Sequence, residues 1–188
     1  MTSIIALDIG STKVACVIAQ PHEDLGGYQM LGSSLLTVPR AASSDGADHW
    51  PLDVLSLGRV IEQALEATGV SGDWVEAHVA LSHPSLRSET VHAAIPLADE
   101  PVTVRSSHVE RLTQAAMAQA LGIDRDVLLI ERLECAGNGF DGVRDPQGLS
   151  ATRLRGAFHI VSIPTTVRRA VIQSVESAGL EVASMTHS

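Results

Sequence analysis

The chain reads as an α/β protein in which a mixed sheet is interrupted by an inserted βαββ module. Three observations predict this. Two short β-branched runs, Ile4–Ile9 and Val14–Ile18, flank a polar turn at the start. An amphipathic helix and an alternating strand follow, in the order β-β-β-α-β. A second group then reads strand, helix, strand, strand, before a last helix and strand return.

Taken in order, Gly10-Ser11-Thr12-Lys13 supplies the first turn, and residues 21–27 supply the second. Tyr28 to Leu36 is the third strand of a meander, which has one face to cover. Pro39 to Pro51, rich in Ala, Ser, Asp and Gly, is a loop. Asp53 to Thr68 is a helix with Val54, Leu57, Ile61, Ala64 and Leu65 on its apolar side, stopped by Gly69 in the left-handed cap position. Trp74 to Leu81 alternates, placing Val75, Ala77, Val79 and Leu81 on one face.

The inserted module begins with a strand from Leu86 to Leu97, which Pro96 marks as ending or lying at an edge. Ser107 and Glu110 fit a capping box that opens a helix with Val109, Leu112, Ala116 and Ala120 inward, closing at Gly122. Asp126 to Cys135 and Arg153 to Ile163 are strands, joined by a turn-dense connection over residues 137–148. Pro164-Thr165-Thr166 then caps a helix whose apolar side is Val167, Ala170, Val171, Val175 and Ala178. Gly179 ends it, and Leu180 starts a final strand.

The totals narrow the function. A net charge of -9, with Arg168-Arg169 the only adjacent basic pair, argues against nucleic acid as a partner, because phosphate neutralisation needs clustered cations. Cys16 and Cys135 lie in apolar strands without a CxxC pattern, and read as buried reduced thiols of a cytoplasmic protein. The opening apolar run is broken by Asp8, too short for a signal or a membrane span. No GxxxxGK[ST] occurs, which excludes a P-loop. None of the eight histidines forms an i, i+4 or H-x-H pair, so they read as structural or surface groups. His78 and His159 sit in strands, where the backbone can satisfy one ring nitrogen.

Taken alone, D-x-G-[ST] after a strand is a hairpin with a polar turn. Leu7-Asp8-Ile9-Gly10-Ser11-Thr12-Lys13-Val14, however, resembles the first phosphate motif of the actin/Hsp70/sugar-kinase ATPase superfamily. Asp141-Gly142, then Asp145-Pro146-Gln147-Gly148-Leu149, then Arg153-Leu154, resembles the D-G…N-P-x-G-M…R-L signature of the FtsA cell-division family. The resemblance runs in order along nearly the whole chain. It implies a ribonuclease-H-like, actin-type subdomain 1A over residues 1–83, an inserted SHS2 (1C) subdomain over 84–162, and a return to 1A over 163–188. It further implies the N-terminal part of a longer protein.

On that resemblance, Gly10, Ser11, Thr12 and Lys13 would contact the phosphates of ATP and Asp8 would hold Mg²⁺ through water, both expected only in the full-length protein with the second half of the nucleotide clamp. No residue is assigned a catalytic role; the full-length protein is expected to be at most a weak ATPase, and this chain by itself is expected to be inactive. The resemblance also implies FtsZ as a partner through a subdomain not represented here, and self-association and contact with later division proteins through 1C. It implies a cytoplasmic place at the inner face of the membrane, with no direct membrane contact by these residues. The alternative is an adaptor without nucleotide chemistry, like the pilus-assembly protein PilM. Asp141 is expected to shape its own turn, and Arg153 to pair with a nearby carboxylate.

Overall fold

A computed structural model of the chain describes residues 3–22, 26–37, 54–72 and 76–188. Its elements are β1 (Ile4–Ile9), β2 (Lys13–His22), β3 (Gly27–Thr37), α1 (Val54–Ala67), β4 (Glu76–Leu81), β5 (Arg87–Pro96), β6 (Val102–Thr103), α2 (Ser106–Ala120), β7 (Arg125–Gly137), β8 (Phe140–Val143), β9 (Ser150–Ala151), β10 (Arg153–Pro164), α3 (Thr165–Ser177) and β11 (Glu181–His187). They form two compact units, residues 1–85 with 166–188, and residues 86–165. The loop expected over 39–51, the helix start at Asp53 and the strand start at Trp74 and Val75 lie outside the described residues.

The first unit is a five-stranded mixed sheet in the order β11-β4-β1-β2-β3. β1 pairs antiparallel with β2 and parallel with β4, which pairs parallel with β11. The period-2 pattern sends Ile5, Leu7, Ile9, Val14, Cys16, Ile18, Ala77, Val79 and Leu81 to one fully buried face. Leu57, Ile61 and Ala64 of α1 and Val171 and Val175 of α3 complete that core. The two helices meet at Gly58, where a Cβ would collide with the Ser177 side chain. Gly69 and Gly179 end α1 and α3 with φ of 70° and 82°, the left-handed conformation that only glycine adopts without strain.

On β3 the ladder skips one residue. Ile18 pairs with Gly32 and Ala19 with Met30, so Leu31 is a bulge. Tyr28, Met30 and Leu35 consequently stand on the face away from α1, and all three are exposed.

The second unit is an antiparallel sheet in the order β5-β10-β7-β8, with α2 across one face. Val109, Leu112 and Ala116 of α2 pack on Val91, Ala93, Ile95, Cys135, Leu154, Phe158 and Ile160. Gly156 makes the approach possible, because a Cβ there would stand 3.0 Å from both the Leu112 side chain and the Phe158 ring.

Two expectations are corrected in this unit. Helix α2 begins at Ser106 and its N-cap is Arg105, so Ser107 lies inside the first turn and cannot cap. The Arg105 N–H instead donates to His108 Nδ1 at 3.3 Å. The connection over 137–148 contains a strand, β8, which pairs with β7 through Cys135↔Val143 and Gly137↔Phe140. Bare Gly137 lets the Phe140 ring cover it. A two-residue ladder, β6 with β9, closes the module beside it.

Candidate functional site

β1 ends at Ile9, and the Gly10 N–H donates to the Lys13 carbonyl at 2.9 Å, closing a tight turn with Ser11 and Thr12 exposed at its tip. The Ser82 N–H donates to the Ile9 carbonyl at 3.0 Å, which ties the end of β4 to the same corner. The backbone at the turn is therefore fixed on both sides.

Asp8 lies on the face opposite the helices, half-buried, with Ala15 of β2 and Ala80 of β4 as its register partners. Two methyl-sized neighbours leave the carboxylate open to one side. It has no hydrogen-bond partner among the described residues. Alternation places the exposed Lys13 on the same face, diagonal to Asp8 across the hairpin. The turn thus brings Asp8, Ser11, Thr12 and Lys13 together at one end of the sheet. Gly10 is different, since its N–H is already bonded within the turn.

A cavity of about 220 Å³ opens beside Asp8 and is lined also by Ala6, His78, Ser184 and Thr186. His78 Nδ1 lies 2.7 Å from Ser184 Oγ, so a side chain satisfies the ring where a backbone group was expected. His159 follows suit, with Ser88 Oγ 3.4 Å from its Nε2. The alternation of β4 already put His78 on the Asp8 face. What no local pattern revealed was Ser184, because β11 reaches that position through a register shift between Val182 and Ser184.

One half-buried carboxylate with an open oxygen fits a hydrated Mg²⁺ held through water. Among the described residues, no group of three or more His, Cys, Asp or Glu side chains could grip an ion directly. Both cysteines are buried and free. Burial pushes the Cys16 thiol up to about 11 and raises Cys135 as well, so neither is poised as a nucleophile.

In the second unit, Asp141 behaves as expected, its Oδ1 accepting the Gly142 N–H at 3.1 Å. Arg153 does not. Its side chain is exposed and has no hydrogen bond or ion pair among the described residues, since alternation turns it away from the core. Asn138 does the local fastening instead, its Oδ1 accepting from Thr152 N–H at 3.2 Å, Thr152 Oγ1 at 2.9 Å and Arg153 N–H at 3.3 Å.

Residues 84–162 match the family model of the SHS2 domain inserted in FTSA. Over 180 residues the chain is 27% identical to the cell division protein FtsA of Streptococcus pneumoniae, covering 94% of this chain and 37% of that protein. It is 28% identical to FtsA of Pseudomonas aeruginosa, again over 180 residues, covering 95% of this chain and 42% of that one. The chain therefore spans about two-fifths of the length of these curated relatives. Among solved structures, the PilM-PilN type IV pilus biogenesis complex superposes with a TM-score of 0.62 at 12% identity, over 98% of this chain and 47% of that one. That likeness bears out the expected α/β, actin-type fold. No helix among the described residues is long and apolar enough to cross a membrane.

Proposed function

We propose, from the premise that this chain belongs with the FtsA cell-division proteins and carries their SHS2 domain at residues 84–162, that it serves bacterial division as part of an actin-like ATPase. In this reading the protein links FtsZ to the inner face of the cell membrane at the septum. The SHS2 unit mediates self-assembly and the recruitment of later division proteins. The observation that carries the reading is the βαββ unit inserted into a five-stranded mixed sheet, between β4 and α3. ATP and Mg²⁺ would be held at the Asp8 corner, with Ser11, Thr12 and Lys13 toward the phosphates and Asp8 holding metal-bound water.

The test is depletion of the protein in its own cell, with a fluorescent fusion for localisation. Filamentous cells without septa and a midcell band are expected. Normal division after depletion would overturn the reading.

A second reading, an adaptor without nucleotide chemistry, is favoured by the bonded Gly10 N–H and by the small size of the Asp8 cavity. Asp8→Ala separates the two. Loss of nucleotide-dependent assembly supports the ATPase, and unchanged recruitment and assembly support the adaptor.

A further inference from the structure

The sheet face of the second unit opposite α2 carries an arrangement that the Asp8 corner does not use. Along β10, Arg153, Arg155 and Ala157 share the face away from α2, the two arginines exposed and Ala157 buried. Arg155 stands between Ala94 of β5 and Ala136 of β7, and Ala157 stands between His92 and Glu134. A long side chain flanked by two methyls is thus followed by a methyl flanked by two long side chains. Alanines on one side of Arg155 and Gly137 on the other leave hollows beside it. One is a cavity of about 360 Å³, rimmed by His92, Glu134 and Asp141, and the other is a cavity of about 240 Å³ beside Asn138 and Arg153. Arg155 borders both. The Arg153 and Arg155 side chains are exposed, and neither makes a hydrogen bond or ion pair among the described residues. The Asn138 clip holds the Arg153 backbone in place.

We propose that this face docks an extended acidic segment of a partner protein, with carboxylates at positions i and i+2 and a neutral or basic residue at i+4. Charge and spacing together select that occupant. Arg153 and Arg155 are two residues apart on a strand, about 6.5 Å, which is the repeat of same-side carboxylates on an extended peptide. Each guanidinium can receive a carboxylate bidentately while the aliphatic stems settle into the hollows. Glu134 and Asp141 at the far rim repel a third carboxylate, so they set the register and polarity of the segment. The proposal deepens the partner-recruiting role given above to residues 84–162 and rests on it.

The test uses the isotope-labelled chain titrated with acetyl-Glu-Thr-Glu-Thr-Lys-amide, followed by amide shifts, with the Gln-for-Glu peptide as control. Shifts at Ala94, Ala136, Arg155 and Ala157 are expected, with the control peptide about tenfold weaker. Arg155→Gln should weaken the acidic peptide about tenfold, and added salt should weaken it progressively. Both arginines are exposed, so an unchanged spectrum of the free variant verifies its fold. Equal affinity for the two peptides, shifts confined to other residues, or no binding would overturn the proposal. So would sedimentation showing that wild-type chain dimerises and Arg155→Gln does not, since the occupant would then be a second copy. If the peptide binds as expected but depletion leaves division intact, only the division role falls.

Discussion

Arg125 holds Ser162 at two points: its Nε donates to the Ser162 hydroxyl at 3.0 Å and its Nη2 to the Ser162 carbonyl at 2.8 Å. Ser162 is 1% exposed. The grip spans the place where β7 and β10 lose register, between Val161 and Ser162. A charged side chain at the start of β7 thus ties down β10 where the ladder is irregular.

Replacing Arg125 with Ala removes both donors and leaves a buried hydroxyl and carbonyl to find others. The expected loss is about 1–3 kcal/mol of stability, read from the midpoint of urea unfolding at unchanged slope. A midpoint equal to wild type would show that the grip is dispensable.

Two glycines behave oppositely. Gly156→Ala pushes a methyl to 3.0 Å from Leu112 and Phe158, and overpacking of this kind destabilises by about 1–3 kcal/mol. At Gly10 a Cβ meets nothing closer than the Lys13 carbonyl at 3.4 Å, so Gly10→Ala should stay within about 0.5 kcal/mol of wild type. Thermal unfolding of the pair decides. Should Gly10→Ala impair assembly in the cell while remaining fully folded, close approach of a ligand to the turn is the reason for the glycine.

The 188-residue chain alone should bind Mg-ATP more weakly than about 1 mM, because a cavity of about 220 Å³ falls below the ~300 Å³ at which small-molecule pockets begin. Calorimetry with millimolar nucleotide checks this, and a micromolar dissociation constant would contradict it. Asp8→Ala should leave the unfolding midpoint nearly unchanged, since the carboxylate has no hydrogen-bond partner among the described residues.

The thiols give a pH dependence of known sign. Cys16 titrates near 9.0 when unfolded and near 11 when folded, so the folded state favours the proton. The associated stability is present below pH 9 and declines as pH rises toward 11. Cys135 is shifted in the same direction by burial. Urea titrations at pH 8 and pH 10.5 should show the lower midpoint at 10.5, more so than in Cys16→Ala. Neither thiol should react with a disulfide reagent at pH 8 until the chain unfolds.

The sequence made the first unit legible wherever burial imposes a period. Ile5, Leu7 and Ile9 alternate because one face of β1 is buried, and Leu57, Ile61 and Ala64 recur because one stripe of α1 is. The turn residues of the candidate site were legible for the same reason, since they interrupt two unmistakable strands. His78 with Ser184 was not, because two residues 106 apart meet only through a parallel register that neither neighbourhood encodes. β8 was hidden by its own composition. Phe140 to Val143 contains Asp141 and Gly142, which signal a turn, and only the bare backbone of Gly137 explains why Phe140 pairs there. Ser107 looked like a cap because serine is a good one, whereas the chain entered the helix earlier and used an imidazole.

Leu31 has a further meaning for how this protein can vary in length. Because it faces no partner across the ladder, a chain lacking it would still set Met30 against Ala19 and Gly32 against Ile18, with every other side chain keeping its orientation. Excision of Ser33 would instead use up the spare residue by swinging Gly32 opposite Val17 and Leu31 opposite Ile18, each onto the other face of the sheet. One spare residue thus makes a single position on this strand forgiving of deletion, beside neighbours that are not.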